Sequence, residues 1–315
     1  DKDILVHLYM GGGNGSTRAM GDADETAIEE SSLTIFAFEK EGTEYLYSYR
    51  PQIKQVSIEN KTLRVACKTS SKEQLFLIVA NAAAEANKVV PQPGETFEGI
   101  SRQLTTELTG AWPTDRRIPM AAIIKATVTT GTTELGAGTK PHYLVRMLAK
   151  INVHLGQTVI NENWTLEEVH LYRPGKAGYI VYNPDTDHWD PDGNPWPHVK
   201  KAHAPTAAIP EDYKGDSYTY ETADNQKATF TNTLYTFETA FTGERLKTTA
   251  IVVGLKKGQG NKQFFRIDIK KGAYDATKEE YKADILRNFQ YDITIKRVDG
   301  TGKTEPDPAY EGDTG

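Results

Sequence analysis

Short segments in which apolar and polar residues alternate strictly dominate this sequence. A period of two places successive side chains on opposite faces of a strand, so it indicates strands with one face in a core. The clearest examples are Ile4–Met10, Val145–Leu155 and Phe289–Val298. Only Phe97–Leu108 has helical spacing, with Thr96 placed to cap it. A doubly wound α/β fold needs a helix after most strands, so the pattern predicts an all-β chain of β-sandwiches with one or two short helices.

Length and composition limit the class of protein. A chain of 315 residues, 38% hydrophobic and 25% charged, can form about two packed domains. Its net charge of -6 argues against nucleic acid as a partner, because phosphate binding needs a basic face. Mean hydropathy is -0.56, and no apolar segment approaches the roughly 18–20 residues of a membrane span.

The chain carries signs of an internal repeat. Ile4–Leu8 and Ile151–Leu155 agree at four of five positions, and the Ile35–Tyr47 hairpin has a counterpart in Val169–Val181. Chance similarity between short β-motifs is the alternative explanation. We expect one β-sandwich domain over residues 1–142, with a first strand at 1–10 and a Gly-rich loop at 11–27. A second domain is expected over 143–298, followed by a flexible acidic tail over 299–315.

Motifs for catalysis are missing from the sequence. Gly11–Ser16 lacks both the Gly-Lys-Ser/Thr ending and the helix of a phosphate loop, so a linker is expected there. Neither a Gly-x-Ser-x-Gly elbow nor a His-Glu-x-x-His motif occurs. The single cysteine, Cys67, excludes an intrachain disulfide and is expected to be a buried small hydrophobe. We expect no enzyme activity, no cofactor and no metal site.

One loop leaves two questions open. Asp185–Asn194 is rich in oxygen ligands, but no starting position gives the spacing of a calcium loop. A surface loop of Asx and Pro turns and a loose calcium site both remain compatible with it. Trp189 and Trp196, in and beside this loop, could stack on a sugar or cover the edge of the sandwich.

Arg18 is a candidate processing site. It lies in Ser16–Met20, between the Gly-rich segment and a segment rich in acidic residues. Exposed segments of small and polar residues are where proteases cut folded proteins. Its place directly after a separable first strand favours cleavage between Arg18 and Ala19 over an ordinary exposed arginine.

The chain resembles the major fimbrial subunit family of Bacteroidales, the type V pilins, along nearly its whole length. Each matching motif is short, and the resemblance depends on their order. In sequence, the matching segments are the first alternating strand, Thr17-Arg18-Ala19, Leu33–Phe38 with its hairpin, Gln74–Asn81, Ile118-Pro119-Met120, Arg146–Val153 and Leu286–Ile295.

The resemblance implies two tandem transthyretin-like β-sandwich domains and a non-enzymatic role in a cell-surface fimbrium. It implies export as a lipoprotein precursor to the outer membrane and cleavage at Arg18 by an Arg-specific protease. Removal of the first strand, with its inward residues Ile4, Val6 and Leu8, then opens a groove that a neighbouring subunit's strand fills. Other fimbrial subunits are the implied partners, and host or bacterial surface ligands could be further ones.

The chain departs from the family pattern at both ends. The lipid-bearing cysteine expected near the start is absent, consistent with a processed chain that begins at Asp1, so any membrane link would depend on an anchor outside this sequence. The residues after Val298 contain no apolar donor strand, which indicates either truncation or a tip or accessory subunit. A surface glycan-binding lipoprotein of β-sandwich domains, using Trp189 and Trp196, is the alternative function.

Overall fold

A computed structural model describes residues 1–10, 23–108, 110–113, 115–136, 142–183, 216–219, 227–240, 244–269 and 284–312. The described residues fall into two compact units. The first unit takes its residues from 1–107, 114–147 and 178–205. The second takes its residues from 108–113, 148–177 and 206–315.

Strands make up most of the regular structure in both units. The first ten strands are β1 (Lys2–Met10), β2 (Thr34–Glu41), β3 (Glu44–Tyr49), β4 (Gln52–Ser57), β5 (Thr62–Cys67), β6 (Gln74–Ala80), β7 (Thr105–Glu107), β8 (Met120–Ala126), β9 (Glu134–Leu135) and β10 (His142–Arg146). The others are β11 (Leu148–Leu155), β12 (Trp164–Tyr172), β13 (Ala177–Tyr179), β14 (Asp216–Thr219), β15 (Thr229–Phe237), β16 (Ala250–Lys257), β17 (Lys262–Asp268) and β18 (Gln290–Ile295). The α-helices are α1 (Ala23–Thr26), α2 (Ala83–Lys88), α3 (Phe97–Gln103), α4 (Gln157–Asn161) and α5 (Pro306–Glu311).

The first unit is a β-sandwich whose strands follow the order β3-β2-β6-β8-β10-β1-β5-β4, with β9 beside β1. β10 joins the two layers, because His142–Leu144 pair in parallel with β1 while Val145 and Arg146 pair antiparallel with β8. The core lies between β2, β6 and β8 on one side and β1 and β5 on the other. β1 is therefore an interior strand of this unit.

The second unit contains a three-stranded sheet, β15-β11-β18, and a four-stranded sheet, β14-β12-β16-β17. Inward residues of β11 and β15 share one core with those of β12 and β16, and Val159 of α4 joins them. β11 is buried on both faces, because Ile151 and Val153 have no exposed surface while Lys150 and Asn152, on the other face, are only 2% and 4% exposed. This arrangement is again sandwich-like.

β1 and β11 have the same kinds of neighbouring strands in their respective units. β1 lies between an antiparallel neighbour, β5, and a parallel neighbour, β10. β11 likewise lies between antiparallel β15 and parallel β18. Ile4–Leu8 and Ile151–Leu155 thus occupy corresponding strands, in agreement with the repeat inferred from the sequence.

The second half of the proposed repeat, the hairpin match, is wrong. β2 and β3 form a hairpin, but β12 pairs with β14 and β16, whereas β13 pairs with β7. Arg173, directly after β12, has a positive φ of 52°, and Pro174, the next residue, has no N–H to donate to a ladder. The chain therefore turns away from β12 instead of returning along it.

The expected boundary between residues 142 and 143 also needs correction. Val145–Leu155 is not one strand, because β10 ends at Arg146 in the first unit and β11 begins at Leu148 in the second. Leu148 interrupts the alternation, because it is apolar where the pattern has polar residues, and it is the first residue of β11. The change of unit falls between residues 147 and 148.

Helical structure is more frequent than expected, although each helix is short. Thr96 caps α3 as predicted, its Oγ1 accepting a hydrogen bond from the Gly99 N–H at 3.1 Å. The loop expected over 11–27 includes α1, and Glu25 there is buried. No helix in the described ranges is both long and apolar enough to cross a membrane.

The acidic segment expected to be a flexible tail packs on the second unit through residue 312. Ala309 and Tyr310 of α5 are buried, and the Tyr310 ring stacks on Tyr172 with centroids 4.4 Å apart. Lys303 and Phe264 of β17 exchange two backbone hydrogen bonds of 3.0 and 2.8 Å. The expectation was wrong because a single anchoring tyrosine gives no periodic apolar signal.

Candidate functional site

The first strand is the candidate functional element, and its side chains follow the predicted alternation. Ile4, Val6 and Leu8 point into the core, with exposures of 0%, 4% and 5%. Leu5 and His7, on the opposite face, are half-buried. β1 therefore supplies one apolar row to the core of the first unit, as expected for a strand with period two.

Both backbone edges of β1 are paired. On one side, Lys2–His7 run antiparallel to β5, with Lys2 opposite Cys67 and His7 opposite Thr62. On the other side, Leu5 and Val6 run parallel to β9, and Leu8–Met10 run parallel to β10. The Leu8 N–H also donates to the Lys61 carbonyl at 2.8 Å. A missing β1 would leave β5 and β10 with unpaired edges and the core without one row.

Two histidines and a carboxylate gather where β1 meets β9 and β10. His7 Nε2 lies 3.1 Å from Glu134 Oε2. Burial of the imidazole, together with the nearby His7, lowers the pKa of His142 below its usual value. Gly136 adopts a φ of +77°, and a Cβ there would lie 2.5 Å from His142 Cδ2. Glycine is thus required for His142 to pack this closely.

A small apolar cavity of about 20 Å³ lies at the Leu8 end of β1. Its apolar walls include Ile28, Leu33, Val56 and Leu63. We call this feature the Leu8 notch. Together with the space that β1 occupies, it defines the first-strand groove.

Other candidate chemistry in the described part of the chain is sparse. Cys67 is buried in β5, and burial raises the pKa of its thiol to about 11. A thiol that stays protonated at neutral pH is a poor nucleophile, in keeping with a packing role. Within the described residues, no group of three or more His, Cys, Asp or Glu side chains is arranged to hold a metal ion.

Several residues singled out from the sequence lie outside the described residues. These are Arg18, Ala19, Trp189, Trp196 and the Asp185–Asn194 loop. Of the predicted site residues, the structure brings together Ile4, Val6 and Leu8. Sequence reasoning missed Glu134 and His142, because their closeness to His7 depends on parallel pairing between distant segments.

Comparison with known proteins identifies solved structures that share the fold. No protein-family model matches the chain, and no curated protein matches its sequence. The C-terminally truncated tip fimbrial protein Mfa3 of Porphyromonas gingivalis has a similar structure, with a TM-score of 0.55 and 14% identity. That match covers 96% of this chain and 97% of Mfa3. The chain has the fold of a fimbrial protein.

Two further solved structures agree with this assignment of the fold. A fimbrial assembly protein of Parabacteroides distasonis has a TM-score of 0.51 at 12% identity, covering 94% of this chain and 92% of its own. A candidate cell adhesion protein of Bacteroides eggerthii has a TM-score of 0.51 at 17% identity, covering 96% and 90%. The predicted all-β fold with sandwich domains is confirmed.

Proposed function

We propose that this chain is a structural and adhesive subunit of a cell-surface fimbrium, matured by cleavage after Arg18 and assembled by strand exchange. One observation carries the proposal: β1 is a core strand paired on both edges, and residues 11–22 connect it to the rest of the chain. The fold shared with fimbrial tip and assembly proteins supports it.

The energetics of β1 explain why its loss would drive assembly. Full burial of a side chain such as Ile4, Val6 or Leu8 contributes roughly 1.5–3 kcal/mol, and the ladder hydrogen bonds add to this. An empty groove would expose apolar surface and unpaired strand edges to water. A neighbouring subunit's strand with the same alternation would restore both contributions. The uncut chain should be a stable monomer, and the cut chain should accept such a strand.

The sequence around β1 favours a single cut. Arg18 is the only lysine or arginine between Lys2 and Lys40. At the competing site, Arg116-Arg117, one arginine is already held in an ion pair, because Arg116 Nη2 lies 2.9 Å from Glu85 Oε1. An Arg-specific protease is therefore expected to cut after Arg18 first.

Limited proteolysis tests the processing step. Brief exposure of the folded chain to an Arg-specific protease should give one early product whose N-terminus is Ala19. N-terminal sequencing and mass spectrometry identify it, and Arg18→Ala should remove it. An earliest cut within residues 33–155 would contradict the proposal.

Assembly is tested with the same pair of proteins. Wild type and Arg18→Ala are treated with the protease and mixed with a fimbrial subunit that carries a donor strand. Size-exclusion chromatography and electron microscopy should show the cut wild type in assemblies and the uncut variant as a monomer. If the uncut variant joined assemblies equally well, β1 would not be a removable strand.

A further inference from the structure

The segment directly after the proposed cut forms part of the first-strand groove. Ile28 and Leu33 pack against the first-unit core, and both line the Leu8 notch. Between them lies only a single 3-10 turn, Glu30–Ser32. Strand pairing does not fix this segment, so its position must depend on other contacts.

The side chain of Asn81, just after β6, supplies these contacts. Asn81 Nδ2 donates to the carbonyl oxygens of Ala27 and Ile118, both at 2.9 Å. Asn81 Oδ1 accepts a hydrogen bond from the Glu29 N–H, also at 2.9 Å. One amide group thereby joins the post-cut segment to the residues that precede β8.

Ser32 completes the network from the other side. Ser32 is only 3% exposed, and its Oγ accepts a hydrogen bond from the Asn81 N–H at 2.7 Å. The same hydroxyl donates to the Glu29 carbonyl at 2.6 Å. We call these five hydrogen bonds the Asn81 anchor. All five join residues outside β1.

Backbone conformation explains why asparagine suits this position. Asn81 has a φ of 60°, in the left-handed region that asparagine tolerates better than most residues. Glycine would adopt the same backbone conformation but would lack the amide. This difference allows the side chain to be tested without adding backbone strain.

We propose that Asn81 is a positioning residue that holds residues 27–33 in place after the cut. Ile28 and Leu33 then remain as a preformed wall of the groove when β1 leaves. The incoming partner is an extended strand with alternating apolar residues, one of which takes the place of Leu8. A preformed wall lowers the ordering cost of binding. This inference rests on the proposed function.

The first test uses the intact chain and does not depend on strand exchange. Asn81→Gly removes the amide, and Asn163→Gly is the matched control, since Asn163 also has a positive φ, of 64°. Hydrogen exchange at the Glu29 N–H should be at least tenfold faster in Asn81→Gly than in Asn163→Gly. Equal exchange in the two variants would overturn the anchor.

The second test uses the cut chain. Residues 1–18 are removed by gel filtration in dilute urea, and a labelled peptide of Asp1–Met10 is added, with a scrambled peptide as control. Fluorescence anisotropy should show at least tenfold weaker binding to Asn81→Gly than to Asn163→Gly or wild type. Equal binding would show that Asn81 does not position the groove wall.

If the proposed function is wrong, the two tests give a different combination of results from the one expected if the Asn81 anchor is wrong. The wild-type cut chain would then bind no Asp1–Met10 peptide, while the difference in Glu29 exchange between the two intact variants would persist. Circular dichroism of each variant confirms that it is folded before either measurement is made.

Discussion

Arg287 and Glu238 form an ion pair buried in the second unit. Their side chains are 1% and 2% exposed, and Arg287 Nη2 lies 2.9 Å from Glu238 Oε2. The Arg287 N–H also donates to Glu238 Oε1 at 3.2 Å. A buried charge is tolerated when a partner and hydrogen bonds replace the water it loses. The pair therefore fixes the chain just before β18.

Removing one partner should be costly. Arg287→Met should lower the free energy of unfolding by about 3–5 kcal/mol, because the Glu238 carboxylate would stay buried without its partner. The exposed pair Lys247–Glu244, at 2.8 Å, is the control, and Lys247→Met should change stability by about 0–1 kcal/mol. Urea denaturation measures both. Similar losses in the two variants would show that burial does not set the cost.

His142 should make the first unit sensitive to acid. Its pKa is lowered in the folded chain by burial and by His7, so the unfolded chain binds a proton more readily. Stability should therefore fall as the pH drops below about 6.5, the usual histidine value. His142→Gln should weaken this dependence, as seen in thermal unfolding midpoints between pH 8 and pH 5. Parallel pH profiles for wild type and variant would contradict this assignment.

At the scale of single elements, alternation found the strands with one apolar face and missed those without. β1 and β18 follow their predicted patterns closely. β4 was missed because it lies at a sheet edge with mostly exposed or half-buried residues. β9 is only two residues long. The core face of β1 could thus be predicted, whereas its parallel neighbours are set by long-range pairing that no local pattern encodes.

α5 illustrates how one side chain can hold an element. Tyr310 is 6% exposed, its ring lies 4.4 Å from the Arg266 guanidinium, and its hydroxyl donates to the Leu246 carbonyl at 2.8 Å. Stacking on Tyr172 adds a further contact. These contacts, rather than helix propensity, account for order in a six-residue helix.

Tyr310→Ala should detach α5. We expect a loss of about 2–5 kcal/mol in the free energy of unfolding, the range for truncating a large buried side chain. Tyr310→Phe keeps the ring and should lose only about 0.5–1.5 kcal/mol, from the hydroxyl contact. Thermal unfolding measures both, and hydrogen exchange at residues 306–311 should be faster in Tyr310→Ala alone. Unchanged exchange there would mean that Tyr310 does not anchor the helix.

For the whole molecule, the first-strand match of the repeat could be predicted, but the hairpin match and the assignment of later segments to the two units could not. Ile4–Leu8 and Ile151–Leu155 keep the same inward residues because each fills a central strand of its own core. The assignment of residues 178–183 to the first unit has no such signal. Their apolar residues are typical of any buried strand, and only long-range contacts decide which core they join.

This assignment predicts how the chain can be divided. The first unit includes Ile180, Val181 and Tyr182, which are 0%, 1% and 5% exposed. The Ile180 N–H donates to the Leu104 carbonyl at 2.9 Å, and the Tyr182 hydroxyl accepts from the Ile123 N–H at 3.3 Å. A fragment of residues 1–147, cut at the apparent boundary, would lack all three side chains.

Such a fragment should be severely destabilised. Full burial of each of these side chains contributes roughly 1.5–3 kcal/mol, and a domain has only about 5–15 kcal/mol in total. Joining residues 177–183 to the fragment through a flexible Gly/Ser linker should restore a cooperative urea transition. A fusion carrying Ile180→Asp and Val181→Asp is the matched control and should behave like 1–147. Equal transition midpoints for all three proteins would show that residues 178–183 do not belong to the core of the first unit.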